Sequence, residues 1–172
     1  ALLKDLEERG EFPEKILHLF SLSRGEEQKP LEWEQRIEVA AETGFYSLVY
    51  LAQAIGQRTE TKEIEVVIVG NGVAEVAGEE EIRAEKAVML GPAKVMRQEY
   101  PQVKSRYIDV IIPPPGSWQE ERLINQLIGD LGTESVVHVT AYRGNHRWVQ
   151  TYETIQLPPA QVGAGLRPSG VY

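Results

Sequence analysis

The sequence has no cysteine among its 172 residues. This absence excludes a disulfide scaffold, a thiolate metal site and a cysteine nucleophile, and it is typical of proteins of the reducing cytoplasm. Clustered lysine and arginine are also missing, and the formal net charge is −8. Because phosphate backbones and anionic lipids are bound by clustered positive charge, we expect no nucleic-acid and no membrane partner.

Long apolar runs are scarce as well. The most apolar stretch, residues 45–55, is interrupted by polar side chains and is too short to span a bilayer. Residues 1–8 lack the basic segment that begins a signal peptide, so we expect a cytoplasmic location. They open in helical period without an initiator methionine, which favours a piece cut from a longer chain. The length allows one domain with a real core but hardly two.

The strongest strand signal is residues 64–69, Ile-Glu-Val-Val-Ile-Val, followed by a glycine pair, Gly70 and Gly72. Five β-branched apolar residues in six predict a strand buried on both faces, as in a parallel sheet covered by helices. A dinucleotide-binding loop needs its third glycine three residues after the second, at the start of a helix. Here Gly78 follows Gly72 by six residues, among several glutamates. We therefore predict a turn and no cofactor-binding residue.

Helical and strand patterns alternate along the chain. This alternation predicts an α/β fold with a doubly wound, mostly parallel sheet, right-handed crossovers and a C-terminal β-hairpin arm. The predicted helices are a first one ending near Gly10, then 31–57, 84–100 and 117–132; the predicted strands are 15–22, 64–69 and 105–112, and the hairpin arms are 136–142 and 147–157. Residues 158–169 resemble a linker, and residues 170–172 resemble the start of another strand.

Two predicted helices carry more apolar surface than one sheet can cover. A helix that lies on a sheet needs an apolar stripe of roughly 100°. Both helices exceed it, so each should also pack on a second partner; their apolar residues are Val39, Ala40, Phe45, Leu48, Val49, Leu51, Ala52 and Ile55 in the first, and Val88, Met89, Leu90, Ala93, Val95 and Met96 in the second. Gly91 and Pro92 should bend or divide the second helix.

Tyr100 and Lys104 match the Tyr-x-x-x-Lys spacing of short-chain dehydrogenases. That pair works only when both side chains rise from one helix face, where the ammonium lowers the pKa of the phenol. Pro101 ends the helix between them, so the two residues should lie on either side of a helix end. We predict no catalytic residue in this chain.

Other polar and aromatic candidates have plainer interpretations. The three histidines show no ligand spacing and predict no metal site; they are His18, His138 and His146. Residues 79–81, Glu-Glu-Glu, are interpreted as a solvated loop. Trp148 and Tyr152 are interpreted as core or interface anchors rather than a base-stacking platform, given the acidic surroundings.

Five segments in chain order carry a resemblance to a known family: residues 16–22, 44–54, 90–101, 106–110 and 141–150. Together they resemble the ketoreductase region of modular type I polyketide synthases, and more narrowly its N-terminal structural subdomain. The family's structural half usually begins with a further strand–helix–strand unit, whereas this chain starts in the helix after it.

The resemblance implies a truncated, degenerate Rossmann-like fold of the short-chain dehydrogenase/reductase type that is not an enzyme by itself. Residues 1–157 would form the structural subdomain, and residues 158–172 the linker and first strand leading to an absent catalytic subdomain. NADPH and the catalytic residues would belong to that half, so catalytic, cofactor-binding and metal residues are all expected to be none here. The chain would stabilise the half that reduces β-ketoacyl groups on acyl carrier protein in polyketide biosynthesis.

The implied partners are the catalytic subdomain of the same polypeptide, neighbouring synthase domains and the acyl carrier protein. Two alternatives stay open. One is a free-standing NADPH-dependent short-chain reductase. The other is a pseudo-ketoreductase that serves as an interaction or scaffold module in a multienzyme, for example beside a methyltransferase.

Overall fold

The computed structural model describes residues 2–24, 31–58, 62–78, 80–133, 138–157 and 169–170. Within these ranges five strands and five α-helices alternate. The helices are α1 (Leu2–Glu8), α2 (Trp33–Ala40), α3 (Ser47–Gly56), α4 (Leu90–Glu99) and α5 (Trp118–Leu131), with a π-helical segment at Ala41–Tyr46 and a 3₁₀ helix at Ala84–Met89. The strands are β1 (Lys15–His18), β2 (Ile64–Gly70), β3 (Val103–Val110), β4 (Val139–Arg143) and β5 (His146–Val149).

All five strands form one sheet in the order β1-β2-β3-β4-β5. The first four strands are parallel, and β5 runs antiparallel to β4. Arg143 pairs with His146 across a two-residue turn in which Gly144 has a φ of +55°. A glycine in that conformation is what tight hairpins require. The architecture confirms the predicted truncated, Rossmann-like α/β fold with a C-terminal hairpin.

Helices cover both faces of the sheet and create two core layers. On one face, α3 and α4 pack over the side chains of β2 and β3 that include Ile64, Val66 and Tyr107. On the other face, α5 packs Leu123, Leu127 and Leu131 over alternate residues of the same strands. This alternation follows from the two-residue period of a strand, which turns successive side chains to opposite faces.

The third crossover differs in hand from the first two. The strand order advances in one direction across the sheet, yet α5 lies on the opposite face from α3 and α4. A connection that keeps its direction and changes face reverses its hand. The expectation of right-handed crossovers throughout therefore does not hold for all three connections. The reason lies in packing: the leucine stripe of α5 covers the sheet face that the earlier helices leave open.

The long helix predicted over residues 31–57 is present but is not a regular α-helix. It runs from Trp33 to Gly56 and widens into a π-helix in the middle. There, the Thr43 hydroxyl donates to the Val39 carbonyl at 2.7 Å and the Ser47 hydroxyl donates to the Thr43 carbonyl at 2.5 Å. Such side-chain bonds to backbone carbonyls perturb a helix, and π segments are frequent at sites of functional contact.

The second broad helix is divided, as Gly91 and Pro92 predicted. A 3₁₀ helix ends at Met89 and α4 begins at Leu90. Pro92 falls in the first turn of α4, where the backbone N–H that proline lacks would have no intrahelical acceptor. The proline therefore fits the start of α4 at no cost in hydrogen bonding.

Several predicted boundaries need correction. Strand β1 ends at His18 rather than residue 22, β3 spans Val103–Val110 rather than 105–112, and β5 ends at Val149 rather than residue 157. The predicted linker 158–168, the first hairpin residues 136–137 and the last two residues of the chain lie outside the described residues.

Candidate functional site

The glycine pair after β2 forms the turn that its spacing predicted. Gly72 has a φ of +78°, which only glycine adopts readily. Between the glycines, the Asn71 amide donates to the Ser23 carbonyl at 2.9 Å, and its oxygen accepts the Ser23 N–H at 3.1 Å. The turn thus ties the segment after β1 to the end of β2, and its polar groups are engaged within the chain.

Next to this turn, Asp109 at the end of β3 is completely buried. One carboxylate oxygen accepts the Val73 N–H at 3.0 Å and the Tyr107 hydroxyl at 2.7 Å, and the other accepts Arg143 at 2.7 Å. Burial, and then the Asp109 charge, raise the pKa of Tyr107 far above its usual range. The Tyr107 hydroxyl therefore remains a proton donor at any physiological pH.

Arg143 of β4 joins Asp109 to Glu80, and both side chains are nearly inaccessible to solvent. The Glu80 carboxylate accepts the Arg143 guanidinium at 2.8 Å and the Ala77 and Gly78 N–H groups at 2.9 Å each. The interpretation of residues 79–81 as a solvated loop is therefore wrong for Glu80 and right for the exposed Glu81; residue 79 lies outside the described part. We call Glu80, Asp109 and Arg143 the Arg143 network.

A second buried ion cluster joins β2, β3 and α5. Arg106 donates to Glu65 at 2.7 Å and to Asp130 at 2.6 Å. Glu65 also pairs with Lys15 of β1 at 2.9 Å. Each charge in this cluster has an opposite partner, which is the condition for a charge to be buried in a folded core. The two networks hold the sheet together at its polar positions and leave no reacting group exposed.

These networks make a prediction about acid stability. The Arg143 guanidinium, followed by backbone N–H groups, lowers the pKa of Glu80 to about 2, and the pKa values of Glu65 and Glu85 are also lowered. A carboxylate with a lowered pKa in the folded state stabilises the fold above its unfolded pKa, and that stability is lost as the pH falls through the folded value. The urea midpoint should therefore decrease steadily from about pH 5 to about pH 2.

A Glu80→Gln variant tests this assignment. It should be less stable than the parent at pH 7 and show a shallower pH dependence, because one of the titrating groups is gone. Equal slopes for the two proteins between pH 5 and pH 2 would contradict the role of Glu80.

The Tyr100 and Lys104 pair does not converge. Tyr100 caps the C-terminus of α4 in an extended conformation, while Lys104 lies on β3 and pairs with the exposed Glu63 at 2.7 Å. The Tyr100 ring fills the space beside Gly56, where a β-carbon would approach it to 2.1 Å. The two residues thus lie beyond the end of the helix on different elements, as Pro101 predicted.

The three histidines are far apart in role. The His18 ring contacts the Ser47 hydroxyl at 2.8 Å, and burial lowers its pKa. Burial and then the nearby Arg97 lower the pKa of His138, while His146 opens β5 and is exposed. Across the described ranges, no three histidine or carboxylate side chains lie close enough together to hold a metal ion.

The two broad helices present large apolar side chains to solvent. The residues turned away from the sheet form a surface that we call the outer helix face; it consists of Phe45, Tyr46, Tyr50, Val88 and Val95. The rings of Phe45 and Tyr46 lie 5.3 Å apart, and those of Tyr46 and Tyr50 lie 6.3 Å apart. Leu48, which the sequence placed in the same broad apolar surface, is instead fully buried in the core. The helices therefore have one face on the sheet and a second, apolar face without a cover among the described residues.

The C-terminal aromatics are also exposed. Trp148 on β5 is about half exposed, and Tyr152 lies beyond the strand with most of its surface accessible. They are not anchors of this chain's own core, so the remaining half of that interpretation, an interface anchor, stays a prediction. None of the described helices has the length and apolarity to cross a bilayer.

Comparison with known proteins gives two findings. Residues 1–129 match the family model described as "Beta-ketoacyl synthase-like, N-terminal". The fold is similar to a solved structure described as "Adenylation, ketoreductase, and pseudo Asub multidomain structure of a keto acid-selecting NRPS module", with a TM-score of 0.71 and 22% identity over 86% of this chain and 12% of that one. This chain therefore spans about an eighth of that much longer chain, and the likeness shows the fold. The comparison with curated proteins gives no match.

Proposed function

This chain belongs to the beta-ketoacyl synthase-like, N-terminal family, and from that premise we propose that it is a non-catalytic structural subdomain of a synthase multienzyme. More narrowly, it is the structural half of a ketoreductase. It stabilises an NADPH-dependent catalytic half of the same polypeptide, which reduces β-ketoacyl groups on acyl carrier protein. Residues 1–157 form this subdomain, and residues 158–172 lead to the catalytic half.

The outer helix face carries this proposal. Tyr50 is 64% exposed and Val95 is 44% exposed, although both lie on helices that already bury another face against the sheet. Several large apolar side chains grouped on one surface are typical of an interface. Helices of a catalytic half with the same architecture would cover this surface by packing against α3 and α4.

The closed carboxyl edge of the sheet supports the division of labour. The crevice beyond the carboxyl ends of parallel strands is where open α/β sheets bind nucleotides. Here the turn at Asn71 is bonded to Ser23, and the Arg143 network fills the space beside it. NADPH and the reacting groups then belong to the catalytic half, and this chain contributes by holding that half in its working geometry.

The experiment uses the longer polypeptide that contains both halves. We expect Tyr50→Asp and Val95→Asp each to lower reductase activity by roughly tenfold or more, because a charge in a buried apolar contact costs about 2 kcal/mol or more. Ile128→Asp is the matched control: Ile128 is equally exposed but lies on α5, on the other side of the sheet. Full activity in both outer-face variants would remove the assigned interface.

One observation favours a second candidate, an interaction module without any reductase partner. The similar structure contains, in its own description, a pseudo-domain alongside a ketoreductase. In that case the outer-face variants would still detach the neighbouring domain, while no variant would change NADPH consumption. A free-standing reductase is separated from both by titrating the 172-residue chain with NADPH, which should give no binding heat.

A further inference from the structure

A pocket of about 430 Å³ lies beside the carboxyl ends of β1 and β2. Its walls come from the segment after β1, from α2 and from the 3₁₀ helix at Ala84–Met89. It has a polar end, with Lys86, Arg83 and Ser21, and an apolar part that includes Val39, Ala40 and Met89. Pockets of this size, mostly apolar with a few convergent polar groups, are the usual form of a small-molecule site.

Two cations meet at the polar end. The Lys86 ammonium donates to the Ser21 carbonyl at 3.0 Å, the Ser23 hydroxyl at 2.8 Å and the Asn71 side-chain oxygen at 2.7 Å, all of which are uncharged. Arg83 donates to the same Ser23 hydroxyl at 3.0 Å. Burial, and then the neighbouring Arg83, lower the pKa of Lys86 to about 8, so it is still charged at pH 7.

Neither cation is neutralised by a close buried carboxylate within the described ranges. The carboxylate nearest to Arg83 is the exposed Glu81 at 3.8 Å, and Glu85 is engaged by Arg36 at 2.9 Å. Two like charges that share one hydroxyl repel each other, which costs stability unless an anion lies between them. Elsewhere in this protein, the buried guanidinium groups of Arg106 and Arg143 each have two carboxylate partners.

The Ser21 hydroxyl adds an independent observation. Ser21 is 5% exposed and lines the pocket, and its hydroxyl has no hydrogen-bond partner in the described structure. Buried polar atoms without a partner are rare in folded proteins and call for an explanation. An oxygen acceptor at the polar end would satisfy this hydroxyl and neutralise the two cations together.

We propose that this pocket binds a small organic carboxylate with a short apolar tail. The carboxylate lies at Lys86, Arg83 and Ser21, and the tail lies along Val39, Ala40 and Met89. The site is separate from the outer helix face and from the Arg143 network, and it does not depend on the proposed role of the chain in a ketoreductase. It would make this subdomain a sensor or holder of an acyl-type acid beside its scaffold role.

The test titrates the isotope-labelled 172-residue chain with hexanoate and follows backbone amide shifts by NMR. We expect saturable shifts of residues 21–23 and 83–89 and no comparable shifts with hexan-1-ol or hexylamine, because the cations select the carboxylate. Lys86→Met should weaken hexanoate binding by roughly tenfold, and Ser21→Ala by a smaller factor. Lys94→Met, an exposed lysine on α4, is the matched control and should bind as the parent does.

The ligand series on the parent protein keeps the proposal falsifiable even if a variant fails to fold. Equal binding of hexanoate and hexan-1-ol would overturn the role of the cations. Tighter binding of inorganic phosphate than of hexanoate at the same residues would overturn the choice of ligand. Shifts confined to other residues, or parental affinity in Lys86→Met, would overturn the site.

Discussion

Replacing Asp109 with alanine should destabilise the fold by about 3–5 kcal/mol, the usual cost of removing one partner of a buried ion pair. The substitution leaves the Val73 N–H and the Tyr107 hydroxyl without their acceptor and removes one of the two carboxylates that neutralise Arg143. Each orphaned buried donor adds its own desolvation cost. Urea unfolding at pH 7, followed by circular dichroism, measures the loss.

Two further variants separate charge from hydrogen bonding. Asp109→Asn keeps an acceptor for the Tyr107 hydroxyl but removes the charge that faces Arg143, so its loss should be intermediate. Glu63→Gln removes one partner of an exposed pair with Lys104, whose contribution should be at most about 1 kcal/mol. A loss for Asp109→Ala as small as that for Glu63→Gln would mean that the Arg143 network does not stabilise the sheet.

The strands show what local pattern can and cannot specify. The β-branched run placed β2 correctly to within one residue, because a strand buried on both faces has an unmistakable composition. The apolar pattern extended β1 to residue 22, yet pairing stops where His18 meets Ile68. Where a strand ends depends on its neighbour, and that neighbour is fifty residues away in the chain. Leu19 and Phe20 are apolar and largely exposed.

The two broad helices show a similar limit. Their width correctly indicated two contact faces, but the sequence could not say which side would meet the sheet. A straight α-helix turns 100° per residue, whereas the π-helical segment at Ala41–Tyr46 turns less and rotates α2 relative to α3. Leu48 and Tyr50, two residues apart, consequently face the core and the solvent, and only the structure separates them.

The buried ion networks were missed as a group, although one signal was present. Asp109 stands between Ile108 and Val110 in an otherwise apolar strand, and a lone charge in such a setting indicates a buried partner. The partners themselves are not readable, because Glu80 is 63 residues and Asp109 is 34 residues from Arg143 along the chain. Two segments that carry the family resemblance, 106–110 and 141–150, contain Asp109 and Arg143. Their resemblance therefore has a structural explanation in this sheet.

Leu48→Asp should unfold the isolated chain, whereas Tyr50→Asp should leave it folded. Leu48 is fully buried among the side chains of α3, α4 and the sheet, so an aspartate there is an unpaired buried charge, which costs more than about 4 kcal/mol. That loss is comparable to the whole stability of a typical domain. Tyr50 is 64% exposed, and the same substitution there should change the unfolding free energy by about 1 kcal/mol or less.

The contrast between these two variants decides how the outer helix face can be studied. Circular dichroism and urea unfolding of the 172-residue chain give the two free energies under identical conditions. If Leu48→Asp were as stable as Tyr50→Asp, the two faces of α3 would be exchanged, and Leu48 would belong to the partner surface. If Tyr50→Asp also unfolded the chain, its loss of activity in the longer polypeptide would report on folding rather than on contact. Only a folded Tyr50→Asp chain makes the interface experiment informative, because the loss then arises at the surface between the two halves.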